Sequence, residues 1–237
     1  MHELPILFSA PMLRAILALL KRMTRRQVNK LLGFGPITEF CPSDTPGYNW
    51  HFRNKRGCWN DISHARLLEC CPYGKVGDRL SVKETFWAFG LWETRFNPKK
   101  GRDEWHFVDL TLESAKSYRY AASDIVEGLG KRRGGVTPQW WKRPAIFMSR
   151  RASRITLEVT GVRVERLHDI KDGDCWDEGL ESWLEIEKNL PRHNDGTPAK
   201  YISERQAFSY MWNQINGAGS WDANPWVWVV EFKRVEV

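Results

Sequence analysis

Short segments in which apolar and polar residues alternate constrain this fold more than any other feature of the sequence. The alternation is clearest at residues 79–86, 154–164 and 226–235, and its period of two predicts strands with one face in the core. Weaker strands are expected at residues 105–110 and 117–121. Helices do not alternate with these strands as a parallel sheet requires. The sequence therefore predicts an α+β fold built on a small curled sheet or barrel, with short strands separated by long loops.

Three helices are predicted around the strands. Apolar residues at helical spacing follow Ser9, and Pro11 falls in the first turn of a helix of about ten residues. Residues 172–180 carry acids where a first helical turn favours them. Ser203 and Gln206 fit a capping box that begins a third helix. Residues 33–77 and 128–144 lack sustained periodicity, so we expect irregular loops there, with short strands at most.

The composition excludes several broad classes of protein. Hydrophobic residues make up 42% of the chain and charged residues 27%, which is typical of a chain that folds and not of a disordered one. Pro5, Pro11 and Arg14 interrupt the apolar N-terminal stretch, so we expect neither a signal peptide nor a membrane span. Five cysteines, an odd number, then favour a reducing, cytoplasmic location without disulfides.

The cysteines and histidines do not follow the spacing of a zinc site. No two of them form a C-x2-C or an H-x3-H pair. The residues concerned are Cys41, His51, Cys58, His64, Cys70 and Cys71. We therefore expect no metal and no other cofactor.

Charge is distributed unevenly along the chain. Residues 131–154, the basic tract, hold eight basic residues and no acid, which exceeds the net charge of +7 of the whole chain. Basic side chains neutralise phosphates and indole rings stack on bases, so a tract with two tryptophans suits a nucleic acid. The residues expected to bind it are Lys131, Arg132, Arg133, Trp140, Trp141, Lys142, Arg143, Arg150 and Arg151. The alternative is that the tract docks on the acidic segment 165–187 of the same chain.

Glu84 is the first candidate for acid–base chemistry. It lies in phase with Leu80, Val82 and Phe86, so its carboxyl group is expected on the core side of a strand. Burial of a carboxyl group without a partner favours its protonated form, as a general acid requires. The alternative is an ion pair with an arginine at the end of the strand.

Lys21 and Thr24 are the second candidate. They lie three residues apart after the first predicted helix and share a face if the helical turn continues. The neighbouring arginines, Arg22, Arg25 and Arg26, would lower the pKa of Lys21, which could then deprotonate the Thr24 hydroxyl. The alternative is a basic helix end that the helix dipole favours.

Two motifs resemble those of the ASCH domain family, which is related to the PUA fold. Leu19-x-Lys21-x-x-Thr24-x-Arg26 is similar to the family motif G-x-K-x-x-T-x-R, with a leucine in place of the glycine. Residues 77–85 are similar to its GDxLxVxET strand. At residues 5–9, 153–157 and 224–228 the chain resembles the long ASCH proteins of phages and prophages. The resemblance implies one PUA-like domain over residues 1–237, a small curled β-barrel with flanking helices and long loop insertions at about 33–77, 88–145 and 181–202.

Characterised bacterial ASCH proteins include small amidohydrolases that remove the acetyl group from N4-acetylcytidine. The resemblance implies that Lys21 is the proton acceptor, Thr24 the nucleophile and Glu84 the proton donor. We therefore expect hydrolysis of an N4-acylated cytidine or a related nucleobase, free or in a nucleic acid. Loop residues before the last strand are good candidates for a pocket wall. The expected substrate-binding residues are Arg25, Arg26, Trp221 and Asn224.

The alternative function is a non-catalytic RNA- or DNA-binding module that uses Arg25, Arg26 and the basic tract. A nuclease, also reported in the wider family, is favoured least because no metal-binding acidic cluster accompanies the basic residues. In each case the expected partner is a modified nucleoside or a nucleic acid, and not a membrane. The sequence does not indicate the oligomeric state.

Overall fold

The computed structural model describes residues 1–124, 129–130, 134–184 and 203–235. Strands predominate over helices, so the fold is α+β. The helices are α1 (Ala10–Leu17), α2 (His64–Glu69), α3 (Asp172–Asp177), α4 (Leu180–Leu184) and α5 (Glu204–Asn216). The strands are β1 (Glu3–Leu7), β2 (Met23–Gln27), β3 (Lys30–Leu31), β4 (Gly35–Pro42), β5 (Trp50–Asn54), β6 (Trp59–Ile62), β7 (Arg79–Lys83), β8 (Phe86–Asn97), β9 (Arg102–Asp109), β10 (Arg119–Tyr120), β11 (Gln139–Arg143), β12 (Thr156–Arg166) and β13 (Trp226–Val235).

The strands form three sheets. The first has five strands in the order β1-β7-β12-β13-β2, and the second has four in the order β3-β4-β5-β6. In the third, β8 pairs with β9, β10 and β11. The sheets are open in the part of the chain that is described, and no closed barrel is found there. The curled barrel expected from the sequence is therefore not confirmed.

The chain divides into two compact units. Unit 1 consists of Met1–Ile6, Arg14–Ser81 and Ile155–Val237, and unit 2 consists of Leu7–Leu13 and Val82–Arg154. The expectation of one domain with three insertions stays a prediction. No helix in the described ranges is long and apolar enough to cross a membrane.

The core of unit 1 lies between the five-stranded sheet and the helices α3, α4 and α5. Met23 and Val229 from the sheet pack with Cys175, Leu180 and Phe208 from the helices. All five side chains are at most 5% exposed. Because apolar residues on one face of each element supply this core, the periodicities found in the sequence correspond to real burial.

Most of the predicted elements are confirmed. The strands expected at residues 79–86, 154–164 and 226–235 are β7, β12 and β13. The third predicted helix is α5, and the Ser203 hydroxyl accepts the Gln206 N–H at 3.2 Å, as a capping residue does. The helix expected at residues 172–180 is divided into α3 and α4 at Gly179, whose φ is +86°.

Residues 33–77, where irregular loops with short strands at most were expected, contain the strands β4, β5 and β6, which pair in one sheet, and the helix α2, which was not expected. Phe40 stacks on Trp50 across the β4–β5 pair with ring centroids 5.1 Å apart. Phe34 packs edge-on against Phe52 at 4.9 Å. Phe40, Trp50 and Phe52 lie on one face of this sheet and Trp59 lies on the other, beside His51, which hides the alternation that reveals a strand with one buried face.

Candidate functional site

A tight turn after α1 positions Lys21. The helix ends at Leu17, and the N–H groups of Leu20 and Lys21 donate to the carbonyl oxygen of Ala15 at 2.9 and 3.2 Å. Leu19 adopts a left-handed conformation with φ of 61°, which glycine adopts with less strain than a residue with a β-carbon.

The Lys21 side chain is completely buried and pairs with Glu178. Its Nζ atom donates to Oε2 and to the backbone oxygen of Glu178, both at 2.7 Å. Burial lowers the pKa of Lys21, and the nearby charges of Arg26 and Arg25 add to this effect, whereas the Glu178 carboxylate opposes it. A buried amine with a lowered pKa has the character of a base.

Arg25 extends this pair into a buried network of charges. Its guanidinium donates to Glu165 and Asp174, both at 2.6 Å, and lies 3.5 Å from the second oxygen of Glu178. Arg163 contacts Glu165, Asp174 and Glu231. Three carboxylates of the acidic segment are thus engaged by cations of unit 1, and the network joins β2 to α3 and β12.

Thr24 lies on the other face of β2. Lys21 and Arg25 both reach Glu178, whereas Thr24 pairs in register with Val230 of β13. Successive side chains of a strand point to opposite faces, so Thr24 points away from the Glu178 side. The helical turn that would bring Lys21 and Thr24 onto one face does not continue, because β2 begins at Met23.

A small cavity of about 230 Å³ lies beside this segment. Lys21 and Arg22 line it together with the apolar residues Ile16, Leu157 and Phe232. The carbonyl oxygen of Arg22 accepts the Phe232 N–H at 2.8 Å, whereas Thr24, which is 1% exposed, is not among the residues that line the cavity. Leu19, Lys233 and Arg234 complete the lining.

Glu84 lies in unit 2 and is buried, as the sequence predicted. Both of its oxygens accept hydrogen bonds from Arg154, at 2.9 and 3.2 Å, in a forked ion pair. The Arg154 guanidinium also lies 4.0 Å from the centre of the Tyr120 ring and donates to Ser123 at 3.0 Å. This arrangement matches the alternative of an ion pair at the end of the strand, and a role of Glu84 as proton donor stays a prediction.

Trp221 and Asn224, which were expected at the pocket wall, stabilise a turn of unit 1. Trp221 packs against His168 with ring centroids 4.6 Å apart, and its carbonyl oxygen lies 2.9 Å from the imidazole. The side-chain oxygen of Asn224 accepts the backbone N–H of His168 at 2.8 Å, and the backbone oxygen of Asn224 accepts from the Arg166 side chain at 3.0 Å. Arg26 is half-buried on β2 and faces the same side as Thr24.

The described residues of the basic tract have different surroundings. Trp141 donates its indole N–H to the carbonyl oxygen of Gly90 at 3.0 Å, and the Arg143 guanidinium stacks on Trp92 and Phe107. Arg150 and Arg151 lie in an exposed 3-10 turn, and Trp140 and Lys142 lie on β11. Lys131, Arg132 and Arg133 lie outside the described residues.

Glu178 is the functional candidate that sequence reasoning missed. It lies in the acidic segment, 157 residues from Lys21, where the sequence does not distinguish it from the neighbouring acidic residues. The sequence signal that points to it is Gly179, which interrupts the helical pattern directly after it.

Within the described ranges, no three His, Cys, Asp or Glu side chains are grouped so that they could hold a metal ion. Cys41 and His51 lie close together, with Sγ and Nε2 2.7 Å apart on neighbouring strands. Comparison of the chain with protein-family models, curated proteins and solved structures found no match.

Proposed function

We propose that this protein is an amidohydrolase that acts on an N4-acylated cytidine or a related nucleobase, free or in a nucleic acid. The observation that carries the proposal is the buried Lys21–Glu178 pair, whose lysine lines a small cavity. A lysine with a lowered pKa beside a cavity is a candidate general base. The resemblance to the ASCH motifs supports the same reaction and extends the proposal to a PUA-like, cytoplasmic protein of phage or prophage origin.

Lys21 and Glu178 have complementary roles in this proposal. The neutral amine of Lys21 accepts the proton of the attacking hydroxyl group, and the Glu178 carboxylate stabilises the ammonium that results. Lys21 then returns the proton to the leaving amine as the tetrahedral intermediate breaks down. The overall reaction consumes one water and releases the carboxylic acid and the free amine of cytidine.

Thr24 remains the predicted nucleophile. Thr24 is 1% exposed and is not among the residues that line the cavity, so its role as nucleophile rests on the resemblance to the ASCH motifs. In this role the Thr24 oxygen takes the acyl group, the C–N bond breaks, and water hydrolyses the ester. Arg22 is the exposed cation closest in sequence to Thr24, and we assign to it the stabilisation of the oxyanion that develops on the acyl group.

The size and lining of the cavity favour a small planar substrate. Its volume of about 230 Å³ lies below the roughly 300–1,000 Å³ of pockets for drug-sized ligands. Ile16, Leu157 and Phe232 offer apolar contact to a nucleobase, and Arg234 adds positive charge at the same wall. A base with its acyl group therefore fits better than a longer segment of polymer.

The test is release of cytidine from N4-acetylcytidine by the purified protein. Lys21→Met and Glu178→Gln are expected to lower kcat by about 100-fold or more, the usual contribution of a general base. Lys30→Met, which removes an exposed amine on β3, is the matched control and is expected to leave kcat unchanged. Circular dichroism checks that each variant folds. Absence of cytidine release above the Lys21→Met background would contradict the proposal.

Three further variants assign the other roles. Thr24→Val is expected to abolish turnover and Thr24→Ser to retain part of it if the hydroxyl is the nucleophile. Glu84→Gln distinguishes the role of Glu84 from that of Glu178, because it stops turnover only if Glu84 is the proton donor that the resemblance implies. Loss with Glu178→Gln and full activity with Glu84→Gln would assign the chemistry to Glu178.

A further inference from the structure

The sheet of unit 2 has two faces of different character, and strand register defines them. Trp140 pairs with Phe89, and Trp87 pairs with both Lys142 and Arg119. Residues directly opposite one another in neighbouring strands place their side chains on the same face. Phe89, Arg119, Trp140 and Lys142 therefore share one face, which we call the aromatic–basic face.

The other face carries the core of unit 2. Phe86 and Ala88 pack there with Met148, and Trp141 pairs in register with Ala88. Trp141 is thus held by the core face and by its hydrogen bond to Gly90, whereas Trp140 points the opposite way. Two tryptophans that are adjacent in the basic tract consequently have different surroundings.

Cations surround the aromatic rings of the aromatic–basic face. The Arg119 guanidinium lies 5.8 Å from the centre of the Trp140 ring, and the Lys116 ammonium lies 4.9 Å from that of Phe89. Lys116, Arg119 and Lys142 are exposed, and none of them makes an ion pair with a residue that the structure describes. Their charges are therefore available to an anionic ligand.

A cavity of about 520 Å³ opens on this face. Lys116, Ser117, Arg119 and Trp140 line it, together with Asp124. The Asp124 carboxylate accepts the backbone N–H of Tyr120 at 2.6 Å, so this acid is engaged in holding its own turn. The cavity thus combines an indole ring with two cations and a hydroxyl group.

We propose that the aromatic–basic face of unit 2 binds single-stranded nucleic acid. A base stacks on Trp140 in the cavity, and the phosphates that flank it contact Lys116, Arg119 and Lys142. Both parts of the ligand are needed, since a simple polyanion gains nothing from the indole ring and a duplex does not offer its base faces for stacking. The inference does not depend on the proposed hydrolysis, because it concerns binding by residues of unit 2 alone.

Binding is measured by fluorescence anisotropy with labelled oligo(U), oligo(dT) and a duplex, each of about 12 nucleotides, which is within the range of known single-strand sites. Trp140→Ala is expected to weaken binding of the single strands about fivefold or more, which is the loss of one stacked base. The matched control is Trp105→Ala. Trp105 is 42% exposed and pairs with Thr94, on the face opposite to Phe89.

The salt dependence tests the cations. Replacing Lys116, Arg119 and Lys142 by Gln is expected to reduce the slope of log K against log salt by about 0.7 for each phosphate that is no longer neutralised. The charge-matched control replaces Lys99 and Lys100 in the turn between β8 and β9, and Arg102 at the start of β9, by Gln. Near-ultraviolet circular dichroism of each variant checks that unit 2 keeps its packing.

The outcomes decide the proposal and are separate from those of the deacetylation assay. Preference for oligo(U) identifies RNA as the ligand, preference for oligo(dT) identifies DNA, and equal affinity supports readout of stacked bases and phosphates alone. The proposal is overturned if Trp140→Ala binds the single strands as well as Trp105→Ala does, or if the duplex binds more tightly than both single strands. It is also overturned if inorganic polyphosphate displaces the labelled strands equally well from both variants.

Discussion

The Nζ atom of Lys21 lies 2.7 Å from Oε2 of Glu178, and the two side chains are 0% and 3% exposed. The contact joins the turn after α1 to the C-cap residue of α3, so it belongs to the fold as much as to the proposed chemistry. Arg25 shares the same carboxylate, which leaves two buried cations if Glu178 is removed. Stability and activity at this site are therefore coupled, and the experiments must separate them.

The first prediction is that Lys21 makes stability depend on pH in the alkaline range. Burial lowers the pKa of Lys21 below 10.5, so between the lowered value and 10.5 the unfolded chain binds a proton that the folded chain does not. Stability rises with pH wherever the unfolded state binds more protons. We expect the free energy of unfolding of the wild type, relative to Lys21→Met, to increase as the pH rises toward 10.5.

Urea unfolding at a series of pH values from about 7 upward measures this difference. The comparison with Lys21→Met removes the contributions of the other alkaline groups, because both proteins contain them. A difference that stays flat or falls with pH would show that the pKa of Lys21 is not lowered.

The second prediction concerns the pair formed by Arg154 and Glu84. Arg154→Ala leaves the Glu84 carboxylate, which is 1% exposed, without its forked partner. Breaking a buried ion pair costs about 3–5 kcal/mol, and we expect about 3 kcal/mol here because the Arg154 side chain is 27% exposed. Adding Glu84→Gln to Arg154→Ala is expected to restore part of this loss, since a neutral amide is less costly to bury.

Thermal and urea unfolding report these values, with Arg119→Ala as the control. Arg119 is an exposed arginine of the same unit and makes no ion pair with a described residue, so its removal is expected to change stability little. Equal destabilisation by Arg154→Ala and Arg119→Ala would mean that the forked pair does not stabilise unit 2.

The third prediction compares two glycines of the same acidic segment. Gly179 has a φ of +86°, and a β-carbon there would lie 2.9 Å from that of Ala15 and 3.3 Å from that of Lys21. Gly179→Ala is expected to destabilise the protein by more than the roughly 1–2 kcal/mol of the left-handed conformation alone. The clash also displaces the turn that carries Lys21.

Gly173→Ala is the matched control in α3. A β-carbon at Gly173 would have no atom within 4 Å, and the backbone there is not left-handed, so alanine is expected to stabilise the helix by about 0.4–1 kcal/mol. Urea unfolding of the two variants checks that Gly179→Ala lowers the free energy of unfolding and that Gly173→Ala raises it. A Gly179→Ala protein as stable as the wild type would contradict the close approach at Lys21.

Several elements could be predicted because their signals are local. The strand at Trp226–Val235 places Trp228 and Val230 in the core, and both are completely buried. The helix after Ser203 was predicted from its capping residue. The prediction failed where strand pairing overrode the local sequence signal. The basic residues of Met23–Gln27 indicate the end of a helix, but this segment is a strand because it pairs with β13.

The sequence by itself determined that the chain folds around alternating strands, that Glu84 is buried, and that Lys21 and Thr24 are candidates for chemistry. Alternation, caps and glycines act over a few residues, so they can be recognised without the fold. Only the tertiary structure decided that Lys21 meets Glu178, that Glu84 meets Arg154, and that Trp140 and Trp141 face opposite ways. These relationships depend on strand order and register across as many as 157 residues, and a local pattern carries no information about which distant segment will pack beside it.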